Sequence, residues 1–147
     1  MDLELVDLEP GDLRLTAEVL PVLVELRPHL DEARFEAVYA EGYPQGLRFL
    51  AAYDRDQCVG VAGWRILALT STIRKLYVDD LVTNEAGRSQ GVGHALLAEL
   101  ENRARDAGCT VLDLDSGVQR HDAHRFYFRE RMHISAHHFT KALGSGG

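Results

Sequence analysis

Leu3 and Leu5 alternate with acidic neighbours and, with Leu8, predict a first strand that ends at Pro10-Gly11. Asp12 then stands as the cap of a helix to about Leu26, with Val19, Leu20, Leu23, Val24 and Leu26 as its apolar stripe. Pro21 falls inside that stripe and predicts a kink or two shorter pieces, and Pro28 closes it. Asp31 reads as the N-cap of a second helix with Phe35, Val38 and Tyr39 on one side, broken by Gly42 through Gly46. Leu47 to Tyr53 and Cys58 to Leu69 predict two strands joined by the polar link Asp54-Arg55-Asp56-Gln57, and Leu76 to Thr83 predicts another. From Val92 to Ala107, Val92, Leu96, Leu97, Leu100 and Ala104 share one helical face, and Gly108 stands where a C-terminal stop belongs. Thr110 to Ser116 reads as a strand, His121 to about Glu130 as a short helix, and Ile134 to Leu143 as a final strand before a loose tail, Gly144 to Gly147. Strands in a run followed by strands alternating with helices indicate a mixed α/β or α+β sheet, and no linker divides residues 1–143 into separate domains.

The 147 residues are 46% hydrophobic and 27% charged, enough for one domain with its own core. Lys plus Arg number 16 against 23 Asp plus Glu, a net charge of −7, which argues against nucleic acid as a partner and leans towards cationic ones. No apolar run reaches the roughly 18–20 residues of a membrane span. The acidic, alternating start is unlike a signal peptide, so a cytoplasmic location with no membrane partner is expected. Cys58 and Cys109 form no CxxC pair and are expected to stay reduced.

Chemistry concentrates in Leu81-Val82-Thr83-Asn84-Glu85-Ala86-Gly87-Arg88-Ser89-Gln90-Gly91-Val92-Gly93-His94, where a strand ends and a helix opens on glycines. A helix's first N–H groups lack partners and its dipole is positive there, glycines remove obstructing side chains, and Arg88 adds a cation. This suits a pyrophosphate. No Gly-Lys-Ser/Thr follows and the GxGxxG spacing is incomplete, so neither a P-loop nor a dinucleotide fingerprint is present. On spacing alone, a tight turn whose glycines merely let the helix pack explains the pattern equally well.

Arg88-Ser89-Gln90-Gly91-Val92-Gly93 after Asp80-Leu81-Val82-Thr83 resembles the acyl-CoA signature of the GNAT acetyltransferase superfamily, Arg/Gln-x-x-Gly-x-Gly/Ala after a strand. Ala123-His124-Arg125-Phe126-Tyr127 is similar to that superfamily's Ala-x-x-x-Tyr helix, in register downstream. The resemblance covers roughly residues 47–143. It implies a strongly twisted mixed sheet of six or seven strands with about four helices, whose fourth and fifth strands splay to admit a pantetheine arm. It further implies that Leu81, Val82 and Thr83 offer backbone groups to pantetheine, that Ser89, Gln90, Gly91, Val92, Gly93 and His94 wrap the pyrophosphate, that Phe126 packs near the cofactor, and that Arg125 or Arg129 approaches its phosphates. Arg120 departs from the asparagine common in the family, Arg131-Met132 from Gly-Phe, and Ser89 from glycine. Arg120 to Tyr127 and Phe139 to Leu143 are also similar to aminoalkylphosphonate N-acetyltransferases.

The reaction so implied moves an acetyl group from acetyl-CoA to a primary amine of a small molecule or peptide by direct attack. Alkylamines, with pKa near ~10, need a proton acceptor, and the departing thiolate, pKa near ~8.5, needs a donor. Tyr127 is the expected donor and Asp80 the expected base, Asp79 pointing to the opposite face of its strand. His121 and His124 are weaker candidates for the base. The histidines at 121, 124, 133, 137 and 138 match no recognised zinc spacing, and no metal is expected. Glu25, Asp31, Glu32, Glu36 and Glu41 are either an entrance for a cationic amine or a solvated helix face. Protein lysine acetylation and a non-catalytic acyl-CoA sensor are the alternative functions. A homodimer is the expected symmetric assembly.

Overall fold

In a computed structural model describing residues 1–144, the first strand, β1 (Leu3–Leu8), lies antiparallel to β2 (Arg48–Asp54). β2 pairs antiparallel with β3 (Gln57–Leu69), and β3 with β4 (Ile73–Thr83). β5 (Val111–Leu114) joins β4 in parallel, giving a five-stranded mixed sheet in the order β1-β2-β3-β4-β5. The mixed character matches expectation; the count of six or seven strands does not. Among the described residues Ile134–Leu143 is not a strand, and Ile134, Phe139 and Leu143 are exposed. Apolar spacing supplies one face of a strand, but a strand exists only when its N–H and C=O groups join a ladder. β4 starts at Ile73, earlier than Leu76, because pairing with β3 carries it through the charged Arg74 and Lys75. β5 is shorter than the expected Thr110–Ser116.

The predicted break at Pro21 takes a particular form. A π-helical turn, Leu15–Val19, runs into the one-turn helix α1 (Leu20–Leu23), and the Leu20 N–H donates to Leu15 O. Proline has no N–H to return to the preceding turn, so the ladder widens there. Asp12 does not cap this segment with its side chain. Its carboxylate accepts from the Arg14 N–H at 3.0 Å and from the Arg14 guanidinium, which holds its pKa below the usual carboxylate value. In α2 (Glu32–Gly42), by contrast, Asp31 accepts from the Arg34 N–H at 2.8 Å, the expected N-cap.

Strand alternation splits the core in two. Phe49, Ala51 and Tyr53 join Leu15, Val19, Leu23, Phe35 and Tyr39 on one face. Against the sheet also packs α3 (Val92–Asp106), with Val92, Leu96, Leu97, Leu100 and Ala104 buried as their shared helical face predicted. Gly60 in β3 makes room for it: a Cβ there would stand 2.7 Å from Val92 Cγ1. Gly108, at φ 78°, terminates α3 as expected.

Tyr39 ties the helical face to β1. Its ring stands edge-on to Phe49 at 4.8 Å and its hydroxyl donates to Leu8 O at 2.6 Å. Burial pushes its pKa up to about 12. Tyr39→Phe leaves the Leu8 carbonyl without this donor in an apolar setting. It is expected to cost about 1–3 kcal/mol in urea unfolding, with ring packing retained.

A first compact unit comprises Met1–Leu114, and a second begins at Asp115. Within the second lies α4 (His121–Arg129), none of whose residues is fully buried. The tail expected to be loose lies, from Ser145 on, outside the described residues.

Candidate active site

In the first unit, the parallel ladder between β4 and β5 ends at Val78 and Leu114, while β4 continues to Thr83 against β3 alone. The register slips where Trp64 faces Val78 and Gly63 faces Asp80, so Asp79 is the extra residue of a bulge. Beyond it, the side of β4 turned away from β3 has no ladder among the described residues at Leu81, Val82 and Thr83, which leaves backbone donors and acceptors for an extended polyamide ligand.

The chain then enters a loop stapled by Asn84, a residue the motif reading passed over. The Asn84 N–H donates to Val59 O at 3.1 Å and its side-chain amide to Cys58 O at 3.1 Å. Its own side-chain oxygen accepts from the Gly87 N–H at 2.9 Å, and its carbonyl from the Arg88 N–H at 3.0 Å. Gly87 sits so close to β3 that a Cβ would stand 2.6 Å from Val59 O. Ser89 and Gly91 are left-handed, at φ 61° and 80°. Gly91 is the N-cap of α3 and no side chain caps that end. The first amides of α3 therefore open on a loop whose glycines remove side chains, and a Cβ at Gly91 would meet nothing within 4 Å. Of the loop glycines, Gly87 is packed tightly against β3, whereas Gly91 stands in open space at the start of α3. Ser89, Gln90 and Arg88 are exposed, Val92 is buried beneath them, Gly93 is half-buried, and His94 is exposed on the first turn. Residues and backbone here fit a CoA-type ligand: unladdered strand for the amides, uncapped helix end for the diphosphate.

Asp80 and Asp79 each meet an arginine. The Arg27 Nε donates to Asp80 Oδ1 at 2.7 Å and its Nη2 to the Asp79 carbonyl at 3.0 Å. Arg65 holds the Asp79 carboxylate with two bonds, at 3.0 and 2.8 Å. Burial pushes the Asp80 pKa above the usual carboxylate value, against the pull of Arg27. Neither arginine was identified from sequence, because each lies far along the chain from its partner. Near the cradle's rim, Arg88 Nη2 meets Glu25 Oε1 at 3.0 Å. Asp31 is spent as a cap, while Glu32, Glu36 and Glu41 are exposed.

In the second unit, Phe126 stacks edge-on against Tyr127 at 5.5 Å. Burial raises the Tyr127 pKa, and Arg120 lowers it through its charge and a hydrogen bond. Arg120, noted only as a departure from the family pattern, thus acts on the candidate proton donor. Arg120→Asn is expected to move the tyrosinate transition to higher pH in an ultraviolet titration, since the opposing cation is removed and burial remains. The His124 ring shares a bond of 2.8 Å with Gly117 O, and Arg125 pairs with Asp122. Among the described residues no three His, Cys, Asp or Glu side chains converge as a metal site. Both cysteines are free; Cys58 is buried, its pKa pushed up to about 11, whereas Cys109 is half-buried. No helix among the described residues is long and apolar enough to cross a membrane.

The acetyltransferase (GNAT) family model matches residues 14–133. The chain is 35% identical over 112 residues to the uncharacterized N-acetyltransferase YhdJ of Bacillus subtilis, covering 76% of this chain and 79% of that one. To the aminoalkylphosphonate N-acetyltransferase of Salmonella typhimurium it is 44% identical over 66 residues, 45% of this chain and 43% of that one. Its fold matches that of AAC(6')-Iy, solved with a CoA bisubstrate analog, with a TM-score of 0.81 at 12% identity over 97% of this chain and 98% of the other. With its open β4 edge and uncapped glycine turn, the chain belongs to the GNAT family of N-acetyltransferases, enzymes that use acetyl-CoA as the acyl donor.

Proposed function

We propose that this enzyme acetylates a primary amine of a small molecule or peptide by direct attack within a ternary complex. The observation that carries the reading is the continuity of unladdered β4, Leu81 to Thr83, with the uncapped start of α3 at Gly91. Acetyl-CoA supplies a thioester carbonyl and a thiolate leaving group. In this reading the β4 amides orient the pantetheine arm, and Ser89, Gln90, Gly91, Val92, Gly93 and His94 hold the diphosphate with Arg88 at the rim. Asp80 takes the amine proton, directly or through water. Burial favours a protonated carboxyl and so makes Asp80 a better base than an exposed carboxylate. Tyr127 returns a proton to the sulfur beside Phe126. The Salmonella typhimurium relative, an aminoalkylphosphonate N-acetyltransferase by name, supports a small acceptor. The reading includes a cytoplasmic enzyme working as a homodimer without nucleic acid or membrane.

Two measurements test it. CoA, but not NAD or ATP, is expected to raise Tm, since a ligand bound only by the native state stabilises it. A panel of polyamines, aminoglycosides, aminoalkylphosphonates, amino acids and peptides, followed by thiol release, is expected to show turnover on a small amine. Absence of a CoA shift, or turnover confined to a folded protein substrate, overturns the reading.

A further inference from the structure

The turn that follows α1 touches both halves of the first unit's site. Val24 N–H donates to Leu20 O at 2.9 Å and Arg27 N–H to Leu23 O at 2.9 Å, so Glu25 and Arg27 are fixed in one hydrogen-bonded turn. Arg27 reaches Asp80, the proposed proton acceptor, at 2.7 Å. Glu25 reaches Arg88, at the proposed diphosphate rim, at 3.0 Å. The two pairs differ in setting. The Asp80 carboxylate is 15% exposed, whereas Arg88 and Glu25 are 54% and 35% exposed. A pair as solvated as the second holds weakly and exchanges readily for a stronger partner. The first is the more durable of the two.

We propose that Glu25 is a specificity-determining carboxylate, covered by Arg88 until the cofactor's diphosphate draws that guanidinium away, and that it then receives a second cationic group on the acceptor. This rests on the function proposed above. A diphosphate carries more charge than one carboxylate and accepts bidentate bonds from arginine. Once Arg88 turns to it, Glu25 is left without a counterion on the turn whose Arg27 grips Asp80. A lone ammonium at the reacting nitrogen must be deprotonated before attack, so a carboxylate that held it would oppose the reaction. A carboxylate beside the site is useful for a positive charge that the acceptor keeps. The acceptor class is therefore a diamine, polyamine or aminoglycoside. The cofactor binds first, and each ligand tightens the other by the same factor.

The test uses CoA and the matched pair putrescine and butylamine, which differ by one ammonium. Glu25→Gln removes the competing carboxylate, so CoA titrated alone at low salt is expected to bind about 3–10-fold tighter. In the wild type, putrescine is expected to exceed butylamine in kcat/KM by about tenfold or more, and in Glu25→Gln this preference disappears, mostly through KM. Arg88→Gln uncovers Glu25 permanently and is expected to abolish the requirement for CoA before putrescine binds. Unchanged or weaker CoA binding in Glu25→Gln overturns the proposal. So does a diamine preference that is absent in the wild type or survives the substitution, or turnover confined to 3-aminopropylphosphonate. A wild type that does not bind CoA at all would instead remove the function on which the proposal rests.

Discussion

Tyr127→Phe is expected to lower kcat by roughly 10²–10⁴-fold at saturating acetyl-CoA, while KM for acetyl-CoA moves only a few-fold. A phenol is protonated across the neutral range, burial raises the Tyr127 pKa further, and in the proposed mechanism this proton goes to the departing thiolate. A phenol with a raised pKa is a weaker acid than a thiol near ~8.5, and proton transfer between them runs uphill. Arg120 works against that mismatch by stabilising the phenolate, which in the proposed mechanism couples an unusual family position to the chemical step. Phenylalanine keeps the ring and its contact with Phe126 and removes only the hydroxyl. The loss should therefore appear in turnover, measured as thiol release, with the circular dichroism spectrum unchanged. Wild-type turnover in this variant would take Tyr127 out of the mechanism.

What was legible in the sequence was local. The 3.6-residue spacing of Val92, Leu96, Leu97, Leu100 and Ala104, with left-handed Gly91 before it and Gly108 after it, defines α3 with no information from elsewhere in the chain. Asp31 as a cap and the interruption at Pro21 were readable for the same reason. Features set by distant partners were not. Arg27 lies 53 positions from Asp80 and Glu25 lies 63 from Arg88, and no periodicity marks such pairs. The bulge at Asp79 arises from register between two strands, which neither strand's pattern contains. Ile134 to Leu143 fails in the opposite sense. Its composition suits a strand, yet composition does not provide the ladder partner. The alternation that put Asp79 and Asp80 on opposite faces assumed a regular strand, and the bulge at Asp79 breaks that regularity; each carboxylate instead meets its own arginine, Arg65 and Arg27, which charge counting could not give.

Gly87→Ala is expected to damage both stability and cofactor binding, and the comparison with Gly91→Ala separates the two effects. At Gly87 the added methyl would lie 2.6 Å from Val59 O, 3.2 Å from Val92 Cγ2 and 3.3 Å from Val59 Cβ. The Val59 carbonyl cannot retreat easily, because it belongs to β3 and accepts the Asn84 N–H that starts the loop. The loop must move instead. Overpacking of this kind costs about 1–3 kcal/mol, or roughly 2–12 °C in Tm for a chain of this size. Because the displaced segment carries Arg88, Ser89 and Gly91, CoA affinity should fall by about tenfold or more in the same variant. At Gly91 the methyl meets nothing, and the cost is that of a left-handed alanine at φ 80°, about 1–2 kcal/mol. A methyl on the very residue that precedes the uncapped α3 amides is nevertheless expected to crowd a diphosphate held there, so CoA affinity should fall as far as in Gly87→Ala with a smaller loss of Tm. Calorimetric titration with CoA and thermal unfolding of both variants provide the check. If both lose stability and keep wild-type CoA affinity, the glycines serve helix packing alone and the diphosphate must be held elsewhere.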